Sequence, residues 1–186
     1  YNRAKNYSNF STPTFNAQFG EERPAAQNFH IDFSPEASGP TSTNATRFTV
    51  NPGMSVVEVN ATVDNAAEEG TGNLVGIRIT SPSGVNYSTA IEYPAIGTSG
   101  REITVQNPEA GTWTLEVRGA RGLTAVQAVA SPIQIASPGP VDGVVTQVKY
   151  VLPNIADIQG NSQQAAIEFA LKNRLIDTYA DGTFKP

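Results

Sequence analysis

The chain has 186 residues, of which 16% are charged, and its formal net charge is −5. It contains no cysteine, which excludes a disulfide framework, thiolate catalysis and cysteine-ligated metal sites. The negative charge without a basic stripe argues against nucleic-acid binding, and no apolar run reaches the ~20 residues needed to cross a bilayer.

Residues 1–27 are rich in Asn, Ser, Thr and Pro and show no hydrophobic period. This composition predicts an N-terminal arm or linker, with plain disorder as the alternative. The first ten residues are polar and do not read as a signal peptide, so we expect the leader of an exported protein to lie upstream of Tyr1.

The pattern of residues 28–137 predicts a β-sandwich or jelly roll. The clearest strand is 55–63, where Val57, Val59, Ala61 and Val63 alternate with polar residues at a period of two. Turn signals recur about every ten residues, which is typical of sandwiches and jelly rolls, but they do not give the order of strands in a sheet. The predicted strands are 28–33, 46–50, 55–63, 73–80, 86–91, 101–105, 112–118, 123–129 and 133–136.

A Pro- and Gly-rich break at 137–140 ends this series. Residues 138–153 predict a tether or one extra strand, because 144–151 alternates again. After Pro153 the period changes to that of a helix, which Asn161 or Ser162 can cap. The fold class is therefore mainly β, with an irregular N-terminal arm and one C-terminal helix. The apolar residues at helical spacing are Ala166, Ile167, Ala170, Leu171 and Leu175.

The sequence offers little material for catalysis. A serine triad needs a basic histidine held by a carboxylate, and the only histidine, His30, lies between Phe29 and Ile31 in a strand pattern. We interpret His30 as a half-exposed strand residue. Hydrolysis by a pair of carboxylates stays open, because the sequence does not give the distance between any two acidic side chains. Two roles are predicted for the aromatic residues Tyr87 and Tyr93: they bind a polymer, or they cap the sandwich.

A calcium site is the most plausible site chemistry. Calcium takes six to eight oxygen ligands, usually from loops, and Asp64, Glu68 and Glu69 cluster on the loop after the best strand. The alternative is a solvated acidic loop, which is the commoner role of such a cluster. Asp177 and Asp181 are interpreted as turn residues. Zinc is not expected with one histidine and no cysteine.

Three segments carry a resemblance to a known family: Phe48-Thr-Val-Asn-Pro-Gly53, Ile77-Arg-Ile-Thr-Ser-Pro-Ser-Gly84 and Asn107-Pro-Glu-Ala-Gly-Thr-Trp113 with the following Thr-Leu-Glu-Val. They resemble the jelly-roll accessory domains, of pre-peptidase and proprotein-convertase-P type, that follow the catalytic domain in bacterial subtilisin-like serine proteases. In the last segment Gly111 makes a turn and Trp113 enters the core. Many such domains carry Asp-x-Asp-Leu where this chain reads Gly72-Asn-Leu-Val-Gly76.

The C-terminal segment, 154–186, resembles the first half of an S-layer homology repeat. The resemblance rests on Asp157-Ile158, on the helix around Ile167, and on Tyr179-Ala-Asp-Gly-Thr-Phe-Lys-Pro186. It implies that Gly182 allows a tight turn and that Phe184 packs back on the helix. The polysaccharide-binding residues of that family follow the final Pro, so we do not expect this half-repeat to bind cell wall by itself.

Together the resemblances imply a non-catalytic auxiliary domain of a secreted or cell-surface subtilisin-like protease, in a Gram-positive-type bacterium. Its partners are then the upstream catalytic domain of the same polypeptide, and a protein substrate or the cell wall. Two alternatives remain open: a polysaccharide-binding module of a surface glycosidase, and a structural surface-layer or adhesin domain. An enzyme in its own right is not expected.

Overall fold

A computed structural model of the chain describes residues 16–63, 75–89, 100–119, 136 and 138–186. The described residues belong to two compact units, the first formed from 24–147 and the second from 16–23 and 148–186. The strands are β1 (Gly20–Glu22), β2 (Gln27–Phe33), β3 (Ala45–Val50), β4 (Val56–Val63), β5 (Val75–Thr80), β6 (Asn86–Ser88), β7 (Gly100–Gln106), β8 (Gly111–Gly119) and β9 (Gly139–Val151). A 3-10 helix, Ala156–Ile158, and the helix α1, Gln164–Lys172, follow.

The strands of the first unit pair in a nested series. β5 pairs with β6, β4 with β7, β3 with β8 and β2 with β9, all antiparallel. A long hairpin that pairs in this way and then rolls up gives two sheets, one with β9 between β2 and β4 and with β7 beyond, and one ordered β3-β8-β5-β6. This is the arrangement of a jelly roll. The predicted mainly β, sandwich-type fold class is confirmed.

The core of the first unit lies between the two sheets and follows the alternation read from the sequence. In β4, Val57, Val59, Ala61 and Val63 are buried while their neighbours are wholly or partly exposed. Because successive side chains on a strand point to opposite faces, every described strand of the unit has one core face and one outer face. The inward residues of the two sheets form a single hydrophobic cluster.

Two glutamine side chains support the bend after β3. Gln27 donates to the carbonyl of Thr49 at 2.8 Å and accepts from its N–H at 3.0 Å, as a neighbouring strand would. The buried Gln147 accepts from the N–H of Asn51 and donates to the same Thr49 carbonyl, both at 2.8 Å. Side chains thereby satisfy backbone groups that the ladder does not pair.

The second unit has a small core of its own. Ile155, Ile158, Ile167 and Leu171 are buried, and Leu152, Ile176 and Phe184 pack against them. β1 pairs antiparallel with residues 149–151 at the end of β9. The ring of Phe19 lies edge-on to Tyr150, and the guanidinium of Arg174 lies 4.1 Å from the centre of the Phe19 ring.

The structure differs from the predicted elements in the N-terminal arm, decides between the two alternatives for 138–153, and leaves two predicted strands untested. β1 lies in the predicted arm, where three exposed residues, Gly20–Glu22, gave no periodic signal. The segment predicted as a tether or extra strand is the strand β9, so the sandwich extends past residue 137. Residues 123–129 and 133–135, predicted as strands, lie outside the described residues.

The helix differs in its start and in its apolar face. The residue at its N-terminal cap is Gln163, with no side-chain capping bond, although Asn161 Oδ1 accepts from the N–H of Gln163 at 2.8 Å. Leu175 was predicted to continue the apolar stripe, but α1 ends at Lys172 and Leu175 is 70% exposed. The chain leaves the helical path at Arg174, whose φ is +57°.

Candidate functional site

The calcium site predicted from the sequence lies outside the described residues, because Asp64, Glu68 and Glu69 all fall between 64 and 74. Within the described ranges, no group of three or more histidine and acidic side chains is placed to hold a metal ion. The calcium site therefore stays a prediction, and so does its alternative, a solvated loop.

The turn before β8 brings Trp113 to the centre of the first unit. Asn107, which follows β7, and Gly111, the first residue of β8, adopt φ angles of +47° and +130°. A Cβ atom at Gly111 would lie 3.0 Å from Cγ of Pro82, so both the backbone and this contact oppose a side chain there. Trp113 is 1% exposed, and its Nε1 donates to the carbonyl of Glu109 at 2.8 Å. The motif that carries the first resemblance is thus the turn and central core residue of the sandwich.

Two aromatic rings lie beside the indole of Trp113. Phe48, opposite it in the β3–β8 ladder, stacks with a centroid distance of 6.0 Å. The Tyr87 ring, at 5.8 Å, packs against the same core. Of the two roles predicted for Tyr87 and Tyr93, polymer binding or capping of the sandwich, Tyr87 therefore has the second. Tyr93 lies outside the described residues.

His30 contacts two carboxylates on the outer face of the first sheet. Its Nδ1 lies 2.7 Å from Oδ1 of Asp142, the opposite residue in the β2–β9 ladder, and its Nε2 lies 3.2 Å from Oδ1 of Asp32. Hydrogen bonding to Asp142 is the main cause that raises the pKa of His30 above its usual 6.5. Among the described residues, no hydroxyl group is bonded to the ring as a serine triad requires.

The first sheet carries an acidic outer face. The outward-pointing carboxylates are those of Asp32 in β2, Glu58 in β4, Glu102 in β7 and Asp142 in β9. No lysine or arginine points outward from the described strands of this sheet within the first unit. We call these four residues the acidic face.

The second sheet carries the opposite charge. Arg47 in β3, Arg78 in β5 and Arg118 in β8 point outward, and the one outward carboxylate is the buried Glu116. Arg78 donates to Oε2 of Glu116 through both Nε and Nη2. Arg47 and Arg118 are exposed and form no ion pair with a described residue. We call Arg47, Arg78 and Arg118 the arginine face.

The residues that carry the second resemblance meet in the second unit. Ile167 and Phe184 share its core. Both carboxylate oxygens of Asp157 accept from the N–H of Phe184, and Oδ2 also accepts from the N–H of Lys185 at 2.6 Å. Gly182 has a φ of +79°, which favours glycine. These contacts return the C-terminal loop to the 3-10 helix and α1.

Asp177 and Asp181 bond to backbone and side-chain groups near them in the second unit. Asp177 accepts from the N–H groups of Asn16 and Ala17, at 2.6 and 3.0 Å. Asp181 accepts from the N–H and hydroxyl of Thr183, and together with Lys185 these bonds lower its pKa to about 2. Their geometry is that of structural residues.

The two charged faces and the partners of His30 were not predicted from the sequence. The alternation places Asp32 and His30 on one side of a strand, but Asp142 lies 112 positions from His30 and its register is a property of the sheet. The same is true of Arg47, Arg78 and Arg118. The sequence does show outward charged residues in single strands. It does not give the order of the strands, which decides which of these residues share a face.

The sequence matches no protein-family model and no curated protein. Among solved structures, it is distantly similar to the serine protease of Aeromonas sobria, both in complex with its chaperone and alone. The TM-scores are 0.36 and 0.32, the identities 11% and 12%, and the alignments cover 70% and 73% of this chain. They cover 27% of each of those chains, so this chain spans about a quarter of their length.

Within the described residues, no helix is both long and apolar enough to cross a membrane.

Proposed function

We propose that the chain is a non-catalytic auxiliary region of a secreted or cell-surface subtilisin-like serine protease. Its jelly roll stabilises the catalytic domain of the same polypeptide or assists substrate or surface attachment. The observation that carries the proposal is the placement of the 107–117 motif. Its turn and Trp113 form the centre of a jelly-roll core, which is the fold that the sequence resemblance implies.

The contacts of His30 agree with a non-catalytic role. The chain has a single histidine, and in the described structure both of its ring nitrogens face carboxylates. A general base must reach the proton that it abstracts from a nucleophile. His30 instead connects β2 to β9, as a cross-strand pair on an exposed sheet face does.

The second unit supports the S-layer homology part of the proposal. The resemblance rests in part on Asp157, Ile167, Gly182 and Phe184, and these residues occupy one core and one returning loop. We propose that this unit is related to the first half of such a repeat.

Of the alternatives, the glycan-binding module receives the least support. A sheet that binds polysaccharide through stacking presents aromatic rings on its outer face. The outer faces of β2 to β8 and of residues 139–147, as far as the structure describes them, carry none: Tyr87 packs on the core instead. The surface-layer or adhesin alternative is separated from the main proposal by the experiment below.

An activity-based probe tests the proposed parent enzyme. Antibodies against this chain are used to recover the native polypeptide from the medium and cell surface of the organism that carries the gene. We expect a polypeptide longer than 186 residues that reacts with a fluorophosphonate, which labels activated serines. The recombinant 186-residue chain is the matched control and should not react or cleave peptides. Recovery of an unlabelled polypeptide, or of one with a sugar-hydrolase domain by mass spectrometry, would refute the proposal.

A further inference from the structure

The two outer faces of the sandwich, as far as the structure describes them, carry charged side chains of opposite sign. The acidic face has Asp32, Glu58, Glu102 and Asp142, and within the first unit no lysine or arginine points outward from the described strands of that sheet. The arginine face has three guanidinium groups and one outward carboxylate, Glu116. In a chain of net charge −5, this local excess of positive charge is a specific feature of one sheet.

The arginine face has a regular geometry. Arg47 stands opposite Thr114, Arg78 stands opposite Glu116, and Arg118 is two residues further along β8. The three arginines therefore lie at successive levels along the strands, about 7 Å apart at 3.4 Å per residue. Arg78 is paired with Glu116, which leaves the exposed side chains of Arg47 and Arg118, about 14 Å apart along the sheet, to receive carboxylates.

The neighbouring side chains favour a flat protein surface as the occupant. The rest of the arginine face is made of small residues and short hydroxyl or amide side chains, including Thr49, Thr80, Thr112, Thr114 and Ser88. Its described residues include no aromatic ring on which a sugar would stack. Arginine is enriched in protein–protein interfaces, where its fork binds carboxylates in two-point contacts.

We propose that the arginine face docks onto the acidic face of a second copy of this chain, so that sandwiches stack through unlike sheets. Asp32 and Asp142 are exposed acceptors, with side chains 88% and 67% exposed. Each bonds to His30 through Oδ1, so Oδ2 is the oxygen that would accept from an arginine. Such contact is heterologous, each copy using two different faces, and it permits open stacks as well as pairs.

The area of the two faces limits how strongly two copies of the chain can associate. Four strands about 4.8 Å apart and about 20 Å long present roughly 400 Å². A stable interface buries about 800 Å² per partner. The docking is therefore weak, and it depends on charge more than on buried area. Salt should remove it, since the Debye length falls from about 30 Å at 10 mM to about 3 Å at 1 M.

Sedimentation velocity on the full chain tests the proposal. We expect the sedimentation coefficient to rise with protein concentration in about 10 mM salt and to return to the monomer value in about 1 M salt. Reversing either face should abolish association at low salt. The two variants are Arg47→Glu with Arg118→Glu, and Asp32→Lys with Asp142→Lys. Far-UV circular dichroism confirms that each variant is folded.

A mixture of the two reversed variants gives the most discriminating test. Neither reversed variant has unlike faces, but the mixture restores opposite charges, so it should associate while each component alone stays monomeric. The matched control is Arg23→Glu with Lys172→Glu, two exposed cations of the second unit. It carries the same net charge as the arginine-face variant, −5 − 4 = −9, and should associate more than that variant does.

Three results would overturn self-docking. The first is a wild-type chain that stays monomeric in low salt at the highest concentration reached. The second is association that persists in both reversed variants, and the third is a mixture that does not associate. Binding of poly-L-glutamate by a chain that is monomeric under the same conditions, and loss of that binding in the arginine-face variant, would assign the face to a different acidic partner.

Discussion

Nδ1 of His30 lies 2.7 Å from Oδ1 of Asp142, directly opposite it in the β2–β9 ladder. We expect this pair to make the stability of the sandwich depend on pH. The pKa of His30 is raised in the folded state, first by the hydrogen bond to Asp142 and then by its charge. A raised pKa means that protonated His30 stabilises the fold. This contribution is complete below the unfolded pKa of about 6.5 and is lost as pH rises through the higher folded value.

Asp142→Asn should therefore lower the pKa of His30 toward 6.5 and flatten the fall in melting temperature above that pH. Because the chain has one histidine, a proton NMR titration of its ring reports this group alone. Asp32→Asn, which removes the weaker contact at 3.2 Å, should shift the pKa less. An unchanged pKa in Asp142→Asn would contradict the pairing.

Trp113 is expected to be the most sensitive core position in the first unit. It is 1% exposed, its ring stacks with that of Phe48, and the ring of Tyr87 lies beside it at a centroid distance of 5.8 Å. Trp113→Ala should lower the free energy of unfolding by about 3–5 kcal/mol, the usual cost of removing a large buried aromatic side chain. Urea titration followed by far-UV circular dichroism measures the change. Val85→Ala, at a position that is 50% exposed, is the control and should change the stability by less than about 0.5 kcal/mol.

Two glycines on β9 give a matched pair of substitutions. A Cβ atom at Gly143 would lie 2.2 Å from Cζ of Phe29 and 2.5 Å from the carbonyl oxygen of Asn60, whereas one at Gly139 meets nothing within 4 Å. Gly143→Ala should therefore destabilise the sandwich by about 1–3 kcal/mol, as overpacking does. Gly139→Ala should be neutral or slightly stabilising, because alanine restricts the unfolded chain. Equal effects in urea titrations would show that the backbone at Gly143 moves to make room.

Removal of divalent cations tests the loop with Asp64, Glu68 and Glu69. If these residues bind calcium only in the folded state, calcium at 100 times its Kd adds about 2.7 kcal/mol of stability. The sequence favours the solvated loop over the calcium site, so we expect a chelator to leave the melting temperature unchanged. A chelator-sensitive melting temperature that Asp64→Asn abolishes would establish the calcium site instead.

The sequence predicted the parts of the fold that depend on local periodicity. The alternation of Val57, Val59 and Val63 predicted both the strand and its buried face, and the turn around Gly111 predicted the entry of Trp113. Strand order did not follow from these signals, because pairing of β2 with β9 joins residues more than 100 positions apart. That pairing is what brings Asp142 to His30.

The helical segment shows the same limit. Ile167 and Leu171 were predicted as core residues and are buried, yet the period that also included Leu175 does not report where a helix ends. The end is set by the positive φ of Arg174 and by the carbonyl of Leu171, which accepts from the N–H of Arg174 at 3.0 Å. The two charged faces were not predicted either, since an outward charge on a single strand is the ordinary state of an exposed residue.

Asp157 is expected to hold the C-terminal loop of the second unit. Its carboxylate accepts from the N–H groups of Phe184 and Lys185, at 2.9 and 2.6 Å, and these bonds keep its pKa below 3.8. Asp157→Asn should speed hydrogen exchange severalfold at these two amides, because a neutral amide oxygen is a weaker acceptor than a carboxylate. The measurement is NMR-detected exchange at each residue.

Asp181 supplies the internal control for that measurement. It accepts from the N–H of Thr183, and its pKa is about 2, so Asp181→Asn should speed exchange at Thr183 more than at Phe184 or Lys185. The sign of the pH dependence follows from the lowered pKa values of both aspartates: their stabilising effect is complete above about pH 4 and is lost as pH falls through the folded values. The wild-type loop should therefore loosen on acidification toward pH 2, whereas the loop carrying both substitutions should already be loose at neutral pH and should change little. Equal acid sensitivity in the two proteins would show that other groups hold the loop.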